Sequence, residues 1–93
     1  MEQREVEVKN EHGLHARPAA LFVQTAARYS SRITLRNLSR DGREVNAKSI
    51  MEVLTAGVDQ GSRIQLAADG EDAREAVQAL AELIEGGLER QPG

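Results

Sequence analysis

The 93-residue chain has room for one domain and not two. It contains no cysteine, which removes a disulfide framework and a thiolate metal site, and aromatics are only 2% of it, so a core must be built from Ala, Val, Leu and Ile. A formal net charge of −3 and the lack of aromatic stacking platforms argue against nucleic-acid binding. No stretch approaches the roughly 20 apolar residues of a membrane span, and Met1 to Glu5 is charged where a signal peptide would be apolar. Membrane insertion is therefore not expected. A small domain that folds without staples fits a reducing compartment, most simply the cytoplasm.

From Arg4 to Lys9 the pattern alternates, with Val6 and Val8 on one face, as in a half-buried strand. Asn10-Glu11-His12-Gly13 reads as a turn. From Ala16 to about Tyr29 the period changes: Ala19, Phe22, Val23 and Ala26 share one face of a helix, with Pro18 in its first turn, where a missing N–H costs nothing. Phe22 is assigned to the core. Alternation returns from Arg32 to Leu38 through Ile33 and Leu35, Asp41-Gly42 signals a turn, and Val45 and Ala47 continue into a short third strand. Ser49-Ile50-Met51-Glu52 opens a second helix with a capping-box pattern, and Gly57 ends it. Ser62 to Ala68 alternates as a fourth strand. The last helix runs from about Asp72, with Ala73, Ala76, Val77, Leu80 and Ile84 on one stripe, and stops at Gly86-Gly87.

The order is β-α-β-β-α-β-α, an α+β chain. Four alternating strands leave one sheet face to water, and three amphipathic helices cover the other. With no repeat and no linker, residues 1–93 form a single domain, and the polar residues 89–93 are expected to fray.

The chemistry gathers at Gly13-Leu14-His15-Ala16-Arg17-Pro18-Ala19-Ala20. His15 stands immediately before a helix whose unpaired N–H groups and positive dipole end favour a bound anion. The same field disfavours imidazolium, leaving a lone pair to attack phosphorus. Arg17 can donate paired, charge-assisted hydrogen bonds to phosphoryl oxygens, and Gly13 lets the backbone turn tightly enough to expose the ring. No nucleotide-binding glycine loop, no carboxylate cluster for Mg²⁺ and no second group placed as a base accompany them. The chain is thus no self-contained enzyme: it can hold a phosphoryl group and must receive it from elsewhere. Generic chemistry alone leaves a plainer reading open, in which His15 merely caps the helix and Arg17 is a solvated charge. A metal pair of His12 and His15 is weaker still, with no cysteine or third histidine to complete it.

These residues carry a resemblance. Gly13-Leu14-His15-Ala16-Arg17-Pro18-Ala19 resembles the active-site motif of HPr, the histidine phosphocarrier of the bacterial phosphoenolpyruvate-dependent sugar phosphotransferase system. Val45-Asn46-Ala47-Lys48-Ser49-Ile50-Met51 resembles that family's regulatory-serine segment, and the element order agrees along essentially the whole chain. The resemblance implies an open-faced β-sandwich, a four-stranded antiparallel sheet with three helices on one face. It implies that His15 takes a phosphoryl group on Nδ1 from phosphorylated enzyme I and passes it to IIA domains of sugar permeases, with Arg17 supporting the group. Docking would use the exposed faces of the first two helices, including Ala20, Ile50, Met51 and Leu54; for Ile50 and Leu54 core packing is an equal alternative. Ser49 would be the target of a serine kinase/phosphorylase, or simply the cap of helix two. No cofactor and no metal are implied, and a monomer is the default. The alternative function is a regulatory HPr-like binding module, in nitrogen or catabolite control, that signals through its phosphorylation state.

The chain departs from the family pattern in three places. Glu52 stands where relatives often carry Gly or Lys, and its charge would repel a phosphate on Ser49. His12 replaces an Asn or Ser that helps cap helix one. The segment from Arg36 to Arg43 is about three residues longer than usual, so its hairpin is expected to protrude, without effect on transfer.

Overall fold

The computed structural model describes residues 1–86. In chain order the elements are β1 (Glu2–Glu7), α1 (Ala16–Ala26), β2 (Arg32–Asn37), β3 (Glu44–Asn46), α2 (Ile50–Thr55), β4 (Arg63–Asp69) and α3 (Ala73–Glu85). The expected order holds throughout. The strands form one antiparallel sheet in the order β1-β4-β2-β3, so β4 is central although it comes last. Val6 lies opposite Ile64, and Leu35 opposite both Leu66 and Val45, which puts the apolar residues of all four strands on one face. The helices cover that face, the arrangement of an open-faced β-sandwich.

The core follows the alternation. Ile33, Leu35, Ile64 and Leu66 from the sheet meet Phe22 from α1, Val53 from α2 and Leu80 and Ile84 from α3, all essentially inaccessible to water. Each fully buried side chain of this size contributes about 1.5–3 kcal/mol. The outward sheet face is polar: the Arg63 guanidinium meets Glu5 at 3.0 Å and that of Arg36 meets Glu44 at 3.5 Å, both across neighbouring strands.

Some boundaries differ from the sequence reading. Strand β1 starts at Glu2, and Val8 lies past its end, yet Val8 is buried and its N–H donates to the Ser62 carbonyl at 2.8 Å. Helix α1 stops at Ala26 and not near Tyr29, because the last turn tightens: Arg28 and Tyr29 donate to the carbonyls of Thr25 and Ala26. The Lys48 ammonium then takes the Tyr29 carbonyl at 2.6 Å. Strand β3 ends at Asn46, although Ala47 is buried and still donates to Ile33 at 3.0 Å.

Helix α3 begins after Asp72, whose carboxylate does not cap it. It reaches across to the start of β2 and accepts from the backbone N–H of Ser30 (2.8 Å) and Ser31 (2.9 Å) and from both hydroxyls. The Ser31 hydroxyl, the Ser30 N–H and the other donors lower the Asp72 pKa to about 2, against an ordinary 3.8. Among the described residues Gly86 marks the end of α3; Gly87 and the tail at 89–93 lie outside them.

The β2–β3 hairpin is exposed from Leu38 to Asp41 but is not free at its base. The Asn37 side chain is buried, and its amide donates to the carbonyls of Ala56 (3.0 Å) and Gly57 (3.2 Å) while its oxygen accepts from Ser39. Ser39 in turn accepts from the Arg63 N–H at 2.9 Å. The hairpin is thus fastened to the connection between α2 and β4.

Candidate functional site

The sequence places His15 at the mouth of α1, and a second loop decides what surrounds it. Two segments, 8–15 and 58–62, are laced together by backbone hydrogen bonds: Leu14 N–H to the Val58 carbonyl (2.9 Å), Val8 N–H to Ser62 (2.8 Å) and Gly61 N–H to Val8 (2.7 Å). The Gln60 amide adds a bond to the Lys9 carbonyl at 3.2 Å. Gly13 permits the approach. Its φ is +57°, and a Cβ there would lie 2.2 Å from the Val58 carbonyl oxygen and 2.7 Å from the Asp59 Cα. The glycine therefore serves the contact between the loops as well as the turn.

This lacing brings Asp59 onto the ring. The Asp59 carboxylate lies 2.7 Å from His15 Nε2, joining residues 44 positions apart in the chain. The sequence shows no second group placed as a base, and the structure adds a carboxylate beside the ring. No motif signals it, since only the folding of β4 beside β1 brings its loop to helix α1. Both partners are open to solvent, with side chains 44% (His15) and 70% (Asp59) exposed.

His15 occupies the N-cap position of α1 with extended backbone, φ −124° and ψ 154°, yet its ring makes no capping hydrogen bond. The plain capping role for its side chain is thereby set aside. Ala16 follows with φ +51°, a left-handed conformation that costs a residue with a Cβ about 1–2 kcal/mol. The chain bends sharply between the histidine and the helix, and the bend sets how the ring sits relative to the helix end. His12 does not replace the missing cap: it is exposed and hydrogen-bonds to nothing among the described residues. The Asn10 amide instead donates to the Gly13 carbonyl at 2.7 Å and steadies the turn.

Arg17 is exposed and forms no ion pair among the described residues. With His15, Pro18, His12, Glu11 and Asp59 it lines an open depression of about 550 Å³. A second depression of about 550 Å³ lies on the outward sheet face and contains none of these residues. His15 and Arg17 are thus brought together, as the spacing predicts, at a surface a partner can reach.

Ser49 lies elsewhere, at the start of α2, which packs beside α1. Its hydroxyl is half-buried and accepts from the Glu52 N–H at 3.3 Å, the N-cap bond that the pattern predicts. The reciprocal half of the capping box is absent. The Glu52 carboxylate passes over Ser49 and accepts from the Asn46 N–H at 3.0 Å, which ties α2 to the end of β3. On the same short helix Ile50 is 36%, Met51 72% and Leu54 39% exposed, whereas Val53 is buried. Core packing, the alternative weighed for Ile50 and Leu54, falls to Val53. Ala20 on α1 is half-buried.

In the comparison with known families, the family model described as "PTS HPr component phosphorylation site" matches residues 2–86. The chain belongs to the HPr family. It is a family of phosphocarriers and not of catalysts. The chain is 49% identical over 85 residues to the phosphocarrier protein HPr of Xylella fastidiosa, covering 91% of this chain and 92% of that one. It is 47% identical over 85 residues to the HPr-like protein Crh of Bacillus subtilis, covering 91% and 96%. Among solved structures, HPr of Thermoanaerobacter tengcongensis superposes with a TM-score of 0.90 at 48% identity, over 99% of this chain and 100% of that one. The chain also matches multiphosphoryl transfer proteins, among them that of Haemophilus influenzae at 46% identity over 81 residues, and spans only 16–22% of the length of those relatives. No helix among the described residues is long and apolar enough to cross a membrane.

Proposed function

We propose that the chain is a phosphoryl relay, in which His15 accepts the group from phosphorylated enzyme I and donates it to IIA domains of sugar permeases. The observation that carries the reading is the exposed His15 ring with one nitrogen engaged by Asp59 and the other unpartnered among the described residues, in the same depression as the exposed cation of Arg17. The unengaged nitrogen supplies the lone pair and Arg17 the counter-charge for phosphoryl oxygens. Ile50, Met51 and Leu54, with Ala20 at the edge, supply an apolar surface beside the site on which partners dock. Ser49, half-buried at a helix start, is the regulatory position, where a serine kinase/phosphorylase would add and remove phosphate. The working unit is a monomeric domain in the cytoplasm.

A second reading, a regulatory module that signals through its phosphorylation state, draws on the similarity to Crh, described in Bacillus subtilis as a catabolite repression protein. The intact arrangement around His15 favours the carrier.

The test is incubation with enzyme I and phosphoenolpyruvate, with mass measured before and after mild acid. One acid-labile phosphoryl group is expected, absent in His15→Ala and taken up more slowly, with the fold unchanged, in Arg17→Ala. An unmodified wild-type chain, or an unchanged shift in His15→Ala, refutes the relay.

A further inference from the structure

We propose that Asp59 is a positioning residue for phosphoryl transfer: its carboxylate keeps the His15 proton on Nε2 in both half-transfers, so that Nδ1 alone meets phosphorus. This rests on the reading of His15 as the carrier and adds to it a residue that no motif contains.

The geometry gives the direction. A neutral imidazole donates from one nitrogen and offers a lone pair on the other, and a carboxylate only accepts. With Asp59 at 2.7 Å from Nε2, the proton resides on Nε2 and the lone pair on Nδ1. The contact is built into the fold. The Asp59 N–H donates to the Ser62 hydroxyl at 3.0 Å, and the Asp59 carbonyl accepts from the Ser62 N–H at 3.0 Å, so its backbone is held on both sides. One residue earlier, the Val58 carbonyl is bonded to Leu14, the neighbour of His15.

The same placement serves both steps. On uptake, the Nδ1 lone pair forms the N–P bond while the donor's bond to phosphorus breaks and returns its electron pair to the donor. The ring becomes a phosphorylated imidazolium that still carries its Nε2 proton, and the positive charge faces the Asp59 carboxylate. On donation, the N–P pair returns to Nδ1 as the acceptor's lone pair takes the phosphoryl group, and a neutral ring protonated on Nε2 remains. No proton is lost or gained in either direction. Arg17 and Asp59 thereby divide the work, the cation facing the phosphoryl oxygens and the carboxylate facing the far nitrogen. Because both side chains of the pair are solvent-exposed, the gain is modest in energy and lies in orientation and tautomer.

The experiment reads the ring directly. In ¹⁵N-labelled, unphosphorylated protein, His15 should show a pyrrole-type signal at Nε2 and a pyridine-type signal at Nδ1. His12, exposed and unpartnered among the described residues, gives the solvent mixture as an internal reference. In Asp59→Ala the His15 signals should move toward that mixture, and phosphoryl uptake from enzyme I and phosphoenolpyruvate should slow about three- to tenfold through kcat with KM unchanged. Asp59→Asn keeps the shape and an acceptor oxygen but not the charge, and should fall between Asp59→Ala and wild type. If the wild-type chain takes up phosphate and Asp59→Ala matches it in ring spectrum and rate, the inference is overturned. If the wild-type chain takes up none, the carrier reading itself fails, whatever the ring spectra show.

Discussion

Replacing Gly13 by alanine tests whether the two laced loops depend on a missing side chain. The added Cβ would sit 2.2 Å from the Val58 carbonyl oxygen, 2.7 Å from the Asp59 Cα and 2.9 Å from the Val58 carbonyl carbon, all backbone atoms that no rotamer change can move aside. The left-handed φ of +57° costs alanine about 1–2 kcal/mol. Displacing the facing backbone costs about 1–3 kcal/mol more. The expected loss is about 3 kcal/mol, which for a domain of this size lowers Tm by about 12–24 °C. Because the displaced segment carries Asp59, the His15 ring signals should also shift toward those of Asp59→Ala. Thermal unfolding by circular dichroism gives the first quantity and ¹⁵N spectra of the folded variant give the second. A variant that melts within about 4 °C of wild type, equivalent to less than about 1 kcal/mol, refutes the reasoning.

Ser49→Ala should lose the N-cap bond to Glu52 and about 1 kcal/mol of stability by urea titration. Ser49→Asp should keep the cap and slow phosphoryl uptake, and an unchanged rate would leave Ser49 a cap only. Asp72 bears on acid stability. Its pKa is lower in the folded chain (about 2) than the ordinary 3.8, so its contribution is complete above about 3.8 and is lost as pH falls toward 2. The Tm advantage of wild type over Asp72→Asn should therefore shrink across that interval, and a constant difference excludes the carboxylate as its source. Met51→Asp, at the most exposed apolar side chain of α2, should leave stability within about 0.5 kcal/mol while raising KM for enzyme I. An unaltered KM would remove this face of α2 from the docking surface.

Alternation and helical period made the seven elements legible, because both periodicities are local and this core is built almost wholly from aliphatic side chains in register. Strand order was not legible: β4 sits between β1 and β2 through pairings such as Val6 with Ile64, which no local pattern encodes. The same is true of the site. His15 and Arg17 are two residues apart and could be read together, whereas Asp59 reaches the ring only when the loop after α2 folds against the turn before α1. Glu52 misled for a related reason. Its spacing from Ser49 fits a capping box, but the Asn46 N–H at the end of β3 competes for the carboxylate and wins. At the hairpin, length predicts projection and Leu38 to Asp41 are exposed, whereas the hold of the buried Asn37 amide on its base has no local signal.

The lacing of segments 8–15 and 58–62 also has a consequence for when the protein becomes competent. Helix α1 and its histidine belong to the first third of the chain, but the loop that holds the ring comes after α2 and is anchored through β4, which pairs Glu2 with Ala68. Contacts of such sequence separation form late, since the loop they close must first be ordered. A nascent or partly unfolded chain therefore displays His15 without Asp59 and without the surface of α2 in place. The arrangement that orients the ring is in this way complete only when the sheet is complete.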